Sequence, residues 1–142
     1  MRRFLQTCET LLALTAAWML VFVLPFRLLV RLLARGASRA GMPSDLVVGR
    51  GLARRVMRLA PRMPFRTTCL VRAVAGWMML RWRGVPSVVR FGVRCPAGVL
   101  EAHAWLLVGD VAVLGGEEAE GYTPIGDFGV GRHSTPHVWS DR

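Results

Sequence analysis

From Leu11 to Phe26 the chain reads LLALTAAWMLVFVLPF, sixteen residues without a charge. A stretch this apolar has to leave water, against a protein core, a partner or a lipid surface. Crossing a bilayer takes roughly 20 apolar residues in a helix, so the run falls short of a span. Pro25 ends or kinks any helix near its close. Arg2 and Arg3 precede it, but no convincing small-x-small cleavage pattern follows, which argues against a secretory signal. The expectation is a helix that is buried or faces a partner, with peripheral membrane contact as the second reading.

Charge divides the chain at about residue 66. All nineteen basic residues are arginine. Residues 1–66 hold twelve of them against Glu9 and Asp45, a net +10, and residues 67–142 hold seven against seven acids, a net of zero. Arg27, Arg31, Arg35 and Arg39 recur every fourth residue among leucines, which predicts an amphipathic helix with an arginine stripe. A second stripe, Arg50, Arg54, Arg58 and Arg62, follows a turn at Gly41–Asp45. Each stripe reads first as a solvated helix face, and second as a docking face for an acidic protein, an acidic peptide or an anionic membrane. Nucleic acid is not expected, since no aromatic residues interleave with the arginines and no reader motif is present.

With 142 residues, 53% of them hydrophobic, the chain can bury a core and is too apolar for disorder. Cys8, Cys69 and Cys95 are odd in number and irregularly spaced, which suits a reducing, cytoplasmic setting better than a disulfide framework. There is no CxxC or HExxH, and neither a metal nor a cofactor is expected.

Residues 67–84, TTCLVRAVAGWMMLRWRG, carry both ends of a helix. Thr68 suits the N-cap and Gly84, ahead of Pro86, suits the C′ position. Cys69 then takes the first helical position, where unpaired amides and the macrodipole favour an anion and can face an oxyanion formed beside the sulfur. A cysteine there is also compatible with inert packing. Arg72, one turn on, either pairs with an acid or is solvated.

Val85–Val93, Ala102–Val108 and Val111–Leu114 read as strands, the last two joined by a two-residue loop at Gly109–Asp110. On the middle strand His103, Trp105 and Leu107 share one face. Read as a pair, Cys69 supplies the thiol and His103 the base that takes its proton and returns it to the leaving group. The fold expected is α+β: N-terminal helices, a helix opened by Cys69, and a small antiparallel sheet carrying His103. By region, 1–66 is the basic helical part, 67–126 the Cys–His core and 127–142 a flexible tail, in one compact domain overall.

The pattern C-L-x-R-A, then R-G-x-P at Arg83–Pro86, then A-H-A-W-x-x-V-G-D ahead of Tyr122-Thr123-Pro124 resembles the protease domain of lasso-peptide biosynthesis B proteins. That domain is a transglutaminase-like, papain-related one. The resemblance runs from about Leu11 to Ile125. It implies a cysteine leader peptidase that cuts a ribosomally made precursor, with Cys69 as nucleophile and His103 as general base. It also implies partners: the precursor's leader peptide, a separate leader-recognition protein as in split forms of the family, and an ATP-dependent lasso cyclase that uses the freed amine.

The resemblance also implies an acid after the His strand, but Leu114 to Gly116 are neutral. Glu117 is the nearest candidate, with Glu118 and Glu120 behind it. Asp110 in the loop and the more distant Asp127 are alternatives, and a backbone carbonyl could take the role. Other chemistry fits the same residues: acyl transfer to an amine, or a non-catalytic membrane-surface or scaffolding protein. Cys8 and Cys95 have no nearby histidine, and His133 and His137 fall in the tail.

Overall fold

The computed structural model describes residues 1–35 and 42–128. Four helices precede a four-stranded antiparallel sheet, the α+β arrangement expected. The first helix, α1, spans Arg2–Val23. It begins earlier than the uncharged run and takes in Glu9, which is paired with Arg83 at the end of α4 and lies near Arg55. Arg83 donates to both Glu9 carboxylate oxygens, and Arg55 lies 3.7 Å away. Thr10, Ala13, Leu14 and Ala17 form its buried side. Pro25 begins α2 (Phe26–Ala34), where a missing N–H costs nothing. Arg39, Gly41, His133 and His137 lie outside the described residues.

Helix α3 runs Pro43–Leu59, with Pro43 in its first turn and the Asp45 carboxylate accepting from the Met42 amide at 2.9 Å. Arg50, Arg54 and Arg58 on α3 are exposed, and so is Arg62 in the 3-10 turn that follows. Helix α4 (Cys69–Trp82) has both expected caps. Thr68 Oγ1 accepts from the Val71 amide at 3.3 Å. At the other end Gly84 sits at φ +67°, its amide bonded to the Arg81 carbonyl and that of Val85 to Leu80, a Schellman closure.

That closure shifts the first strand. Val85 spends its amide on α4 and Pro86 has none, so β1 starts at Val88 and ends at Arg94. Strands β2 (Glu101–Val108) and β3 (Val111–Leu114) flank the Gly109–Asp110 loop, with Val108 opposite Val111. A fourth strand absent from the sequence reading, β4 (Thr123–Phe128), pairs with β1, giving the order β3-β2-β1-β4.

Helix α4 is the centre of the core. Val71, Ala73, Val74, Ala75, Met79 and Leu80 are fully enclosed, packed between α1, α3 and the Ala104, Leu106 and Val108 face of β2. Gly76 allows this approach: a Cβ there would come 2.7 Å from Leu106 Cδ2. One hydrophobic cluster therefore draws on both the basic half and the neutral half of the chain.

Candidate active site

Cys69 and His103 line one recess, of about 20 Å3, between the start of α4 and the start of β2. Arg72, Glu118, Met57 and Leu114 are in the same wall. Cys69 is half-buried at the first position of α4. The Thr68 cap engages the Val71 amide, and the amides of Cys69 and Leu70 have no acceptor within the helix. Donors of this kind suit the oxygen of a tetrahedral intermediate formed at the sulfur.

His103 is buried and its ring is held on three sides. Trp105, two residues along β2, stacks on it at a centroid distance of 5.7 Å and 21°. Tyr122 tilts against it at 5.3 Å. That tyrosine lies under the Arg94 guanidinium, 4.5 Å from its ring centroid, while Arg94 pairs with Glu101 across the sheet at 2.6 Å. The pairing holds the Arg94 pKa above its ordinary value, through the hydrogen bond and the charge of Glu101.

The third contact is polar: His103 Nε2 is 2.9 Å from the Gly115 carbonyl oxygen. A carbonyl can only accept, so this bond places the proton of a neutral ring on Nε2 and leaves Nδ1 as its basic nitrogen. Gly115 stands at φ +74°, and a Cβ there would lie 3.3 Å from both Nε2 and the Ala104 carbonyl.

The acids considered from the sequence fall in different places. Glu117 begins a 3-10 turn and lines a larger cleft of about 770 Å3 beside α3, but not the recess that holds Cys69 and His103. Glu118 lines both. Asp110 is in the β2–β3 loop, away from the recess lining. Asp127 is tied to Arg90 by two hydrogen bonds of 2.6 and 2.8 Å across β1 and β4. Cys8 and Cys95 are free thiols outside the recess.

A family model described as the transglutaminase-like superfamily matches residues 11–127. The chain belongs to that superfamily. The match takes in α1 as well as the Cys69 helix and the whole sheet. Superfamily membership carries cysteine-protease or transglutaminase-type chemistry: attack by a thiolate on a carbonyl, with a histidine managing the proton. Comparison with curated proteins and with solved structures returned no match.

Gly115 was not singled out by residue number from the sequence. Gly115 acts through its backbone, and a backbone carbonyl has no residue-type signature. Arg72 was legible by its spacing from Cys69. Its Nε, however, is closed off from solvent with no hydrogen-bond partner, so at that atom it is neither paired nor solvated. Among the described residues no group of three or more His, Cys, Asp or Glu is placed to hold a metal ion. Helix α1 is the one described helix long and apolar enough to cross a membrane by length and composition, and it packs on α4 and α3.

Proposed function

We propose that this chain is a cysteine peptidase that removes the leader from a ribosomally made lasso-peptide precursor. The observation that carries the peptidase part is the convergence of Cys69, at a capped helix start, and His103 on one recess. The lasso assignment rests on the resemblance of the C-L-x-R-A, A-H-A-W and Y-T-P elements, as do the proposed partners: the leader peptide, a leader-recognition protein and an ATP-dependent cyclase.

In the proposed cycle His103 Nδ1 accepts the Cys69 thiol proton and the sulfur attacks the scissile carbonyl. The first-turn amides of α4 receive the developing oxyanion. The C–N bond breaks as the imidazolium protonates the departing amine, leaving a thioester on Cys69. His103 then takes a proton from water, whose oxygen attacks the thioester, and the thiol is restored with a carboxylate-ended leader. The Gly115 carbonyl serves as the orienting group on Nε2, and Glu117 belongs to the wall of the substrate cleft. Acyl transfer differs only in its last step, an amine replacing water.

The test is mass spectrometry of the precursor peptide incubated with wild type, Cys69→Ala and His103→Ala, each with and without the leader-recognition partner. A single cut lost in both variants supports the reading. An amide-linked product in place of a free carboxylate replaces it with transamidation. Cleavage that survives in Cys69→Ala removes it.

A further inference from the structure

Arg72 follows Cys69 by three residues, so both side chains leave the same face of the first turn of α4. Both line the recess with His103. The Arg72 Nε is removed from solvent and donates to nothing. A guanidinium N–H stripped of water without an acceptor is destabilising, and native structures rarely leave one unexplained. The ion pairs of the sheet do not supply a partner: Glu101 and Asp127 are held by Arg94 and Arg90. Glu118 is the carboxylate that shares the recess, and it is exposed.

The larger cleft opens beside this recess, and Met57, Leu114, Gly115 and Glu118 belong to both. Its α3 wall carries Arg50 and Arg54, one turn apart and both exposed. Cleft and recess together present three arginines against Glu117 and Glu118. A substrate reaching Cys69 through the cleft therefore meets a net positive wall and, at its end, the Arg72 side chain, whose Nε has no acceptor in the protein.

We propose that Arg72 is an anion-holding residue of the Cys69 recess, its guanidinium turning into the recess to donate to a substrate carboxylate placed beside the carbonyl that Cys69 attacks. Arg72 thereby selects substrates with an acidic group next to the scissile bond. Glu118 is the internal competitor for the same donor. The proposal rests on Cys69 being the nucleophile, and its test separates the two.

The probes are iodoacetate and iodoacetamide, which differ in charge but not in reaction. In each the Cys69 sulfur forms a bond to the methylene carbon as the C–I bond breaks and iodide departs. Rates are measured on the full chain by peptide mass spectrometry at Cys69, with the exposed Cys95 as internal reference. In wild type the iodoacetate-to-iodoacetamide rate ratio is expected to be higher at Cys69 than at Cys95. It falls at Cys69 on the order of tenfold in Arg72→Gln, less in Arg72→Lys, and rises in Glu118→Gln, while the Cys95 ratio stays constant.

Arg72→Lys and Glu118→Gln keep the test decisive if Arg72→Gln does not fold. One ratio for Cys69 across wild type and all folded variants overturns the proposal, because an arginine that only packs against the recess would leave both reagents on equal terms. Cys69 alkylation by iodoacetamide that is unchanged in His103→Ala sinks the nucleophile itself, independently of any ratio.

Discussion

His103 Nε2 lies 2.9 Å from the Gly115 carbonyl oxygen, so a main-chain group occupies the ring nitrogen that a carboxylate would otherwise hold. The bond depends on backbone shape, since Gly115 is at φ +74° where a side chain is strained. Gly115→Ala adds that strain, roughly 1–2 kcal/mol, and crowds the imidazole with a Cβ 3.3 Å from Nε2. The expected outcome is lower stability in urea together with slower alkylation of Cys69. Unchanged alkylation would mean that His103 does not need this contact.

The Thr68 cap fixes where α4 begins and therefore where the Cys69 sulfur stands. Thr68→Ala removes the acceptor of the Val71 amide and is expected to cost about 1 kcal/mol, while Thr68→Ser retains most of it. Urea unfolding of the three proteins measures the difference. Equal stability for alanine and serine would show that the cap contributes nothing.

Gly92 gives Trp105 its place, since a Cβ at that position would stand 2.7 Å from Trp105 Cη2 and 3.1 Å from the Thr123 carbonyl. The indole is rigid and the carbonyl belongs to β4, so neither yields easily. Gly92→Ala is expected to destabilise by roughly 1–3 kcal/mol and, by moving the ring stacked on His103, to slow Cys69 alkylation. Wild-type stability in this variant would indicate that the sheet has room the packing does not show.

Glu9 joins α1 to Arg83, the C-cap of α4, and to Arg55 on α3. Its hydrogen bond from Arg83 and the charges of Arg83 and Arg55 outweigh burial and hold its pKa below the ordinary 4.5. A carboxylate depressed in the folded state contributes stability that is complete above its unfolded pKa and disappears as pH falls through the lower folded value. Wild type minus Glu9→Gln is therefore expected to give a constant difference, roughly 0.5–1 kcal/mol after solvent screening, at pH values above about 4.5. The difference should shrink below that. A difference that grows on acidification would contradict the assignment.

Local signals made α4 readable. Thr68, Gly84 and Pro86 sit within a residue or two of the ends they determine, and the Gly109–Asp110 loop set the β2–β3 register in the same way. The tie that fixes α1 to the rest of the fold was not readable, because Glu9 pairs with Arg83, seventy-four positions away. Strand β4 was missed for a related reason. Its sequence TPIGDF contains Pro124 and Gly126, poor strand residues that an edge position tolerates, and among the described residues its one sheet partner is β1. At the site, residue types pointed to Cys69 and His103. The orienting carbonyl of Gly115 and the unpartnered Nε of Arg72 are visible only once the chain is folded.

The central claim is that Cys69 forms a covalent acyl link to the substrate with His103 as its proton carrier. Acid-quenching the reaction with the precursor peptide at early times and weighing the intact protein tests it most directly. The account predicts a leader-sized acyl group on Cys69, released by hydroxylamine as a thioester should be, and no such species in His103→Ala. Accumulating product with Cys69 unmodified at every time point, and the same product from Cys69→Ala, would contradict it.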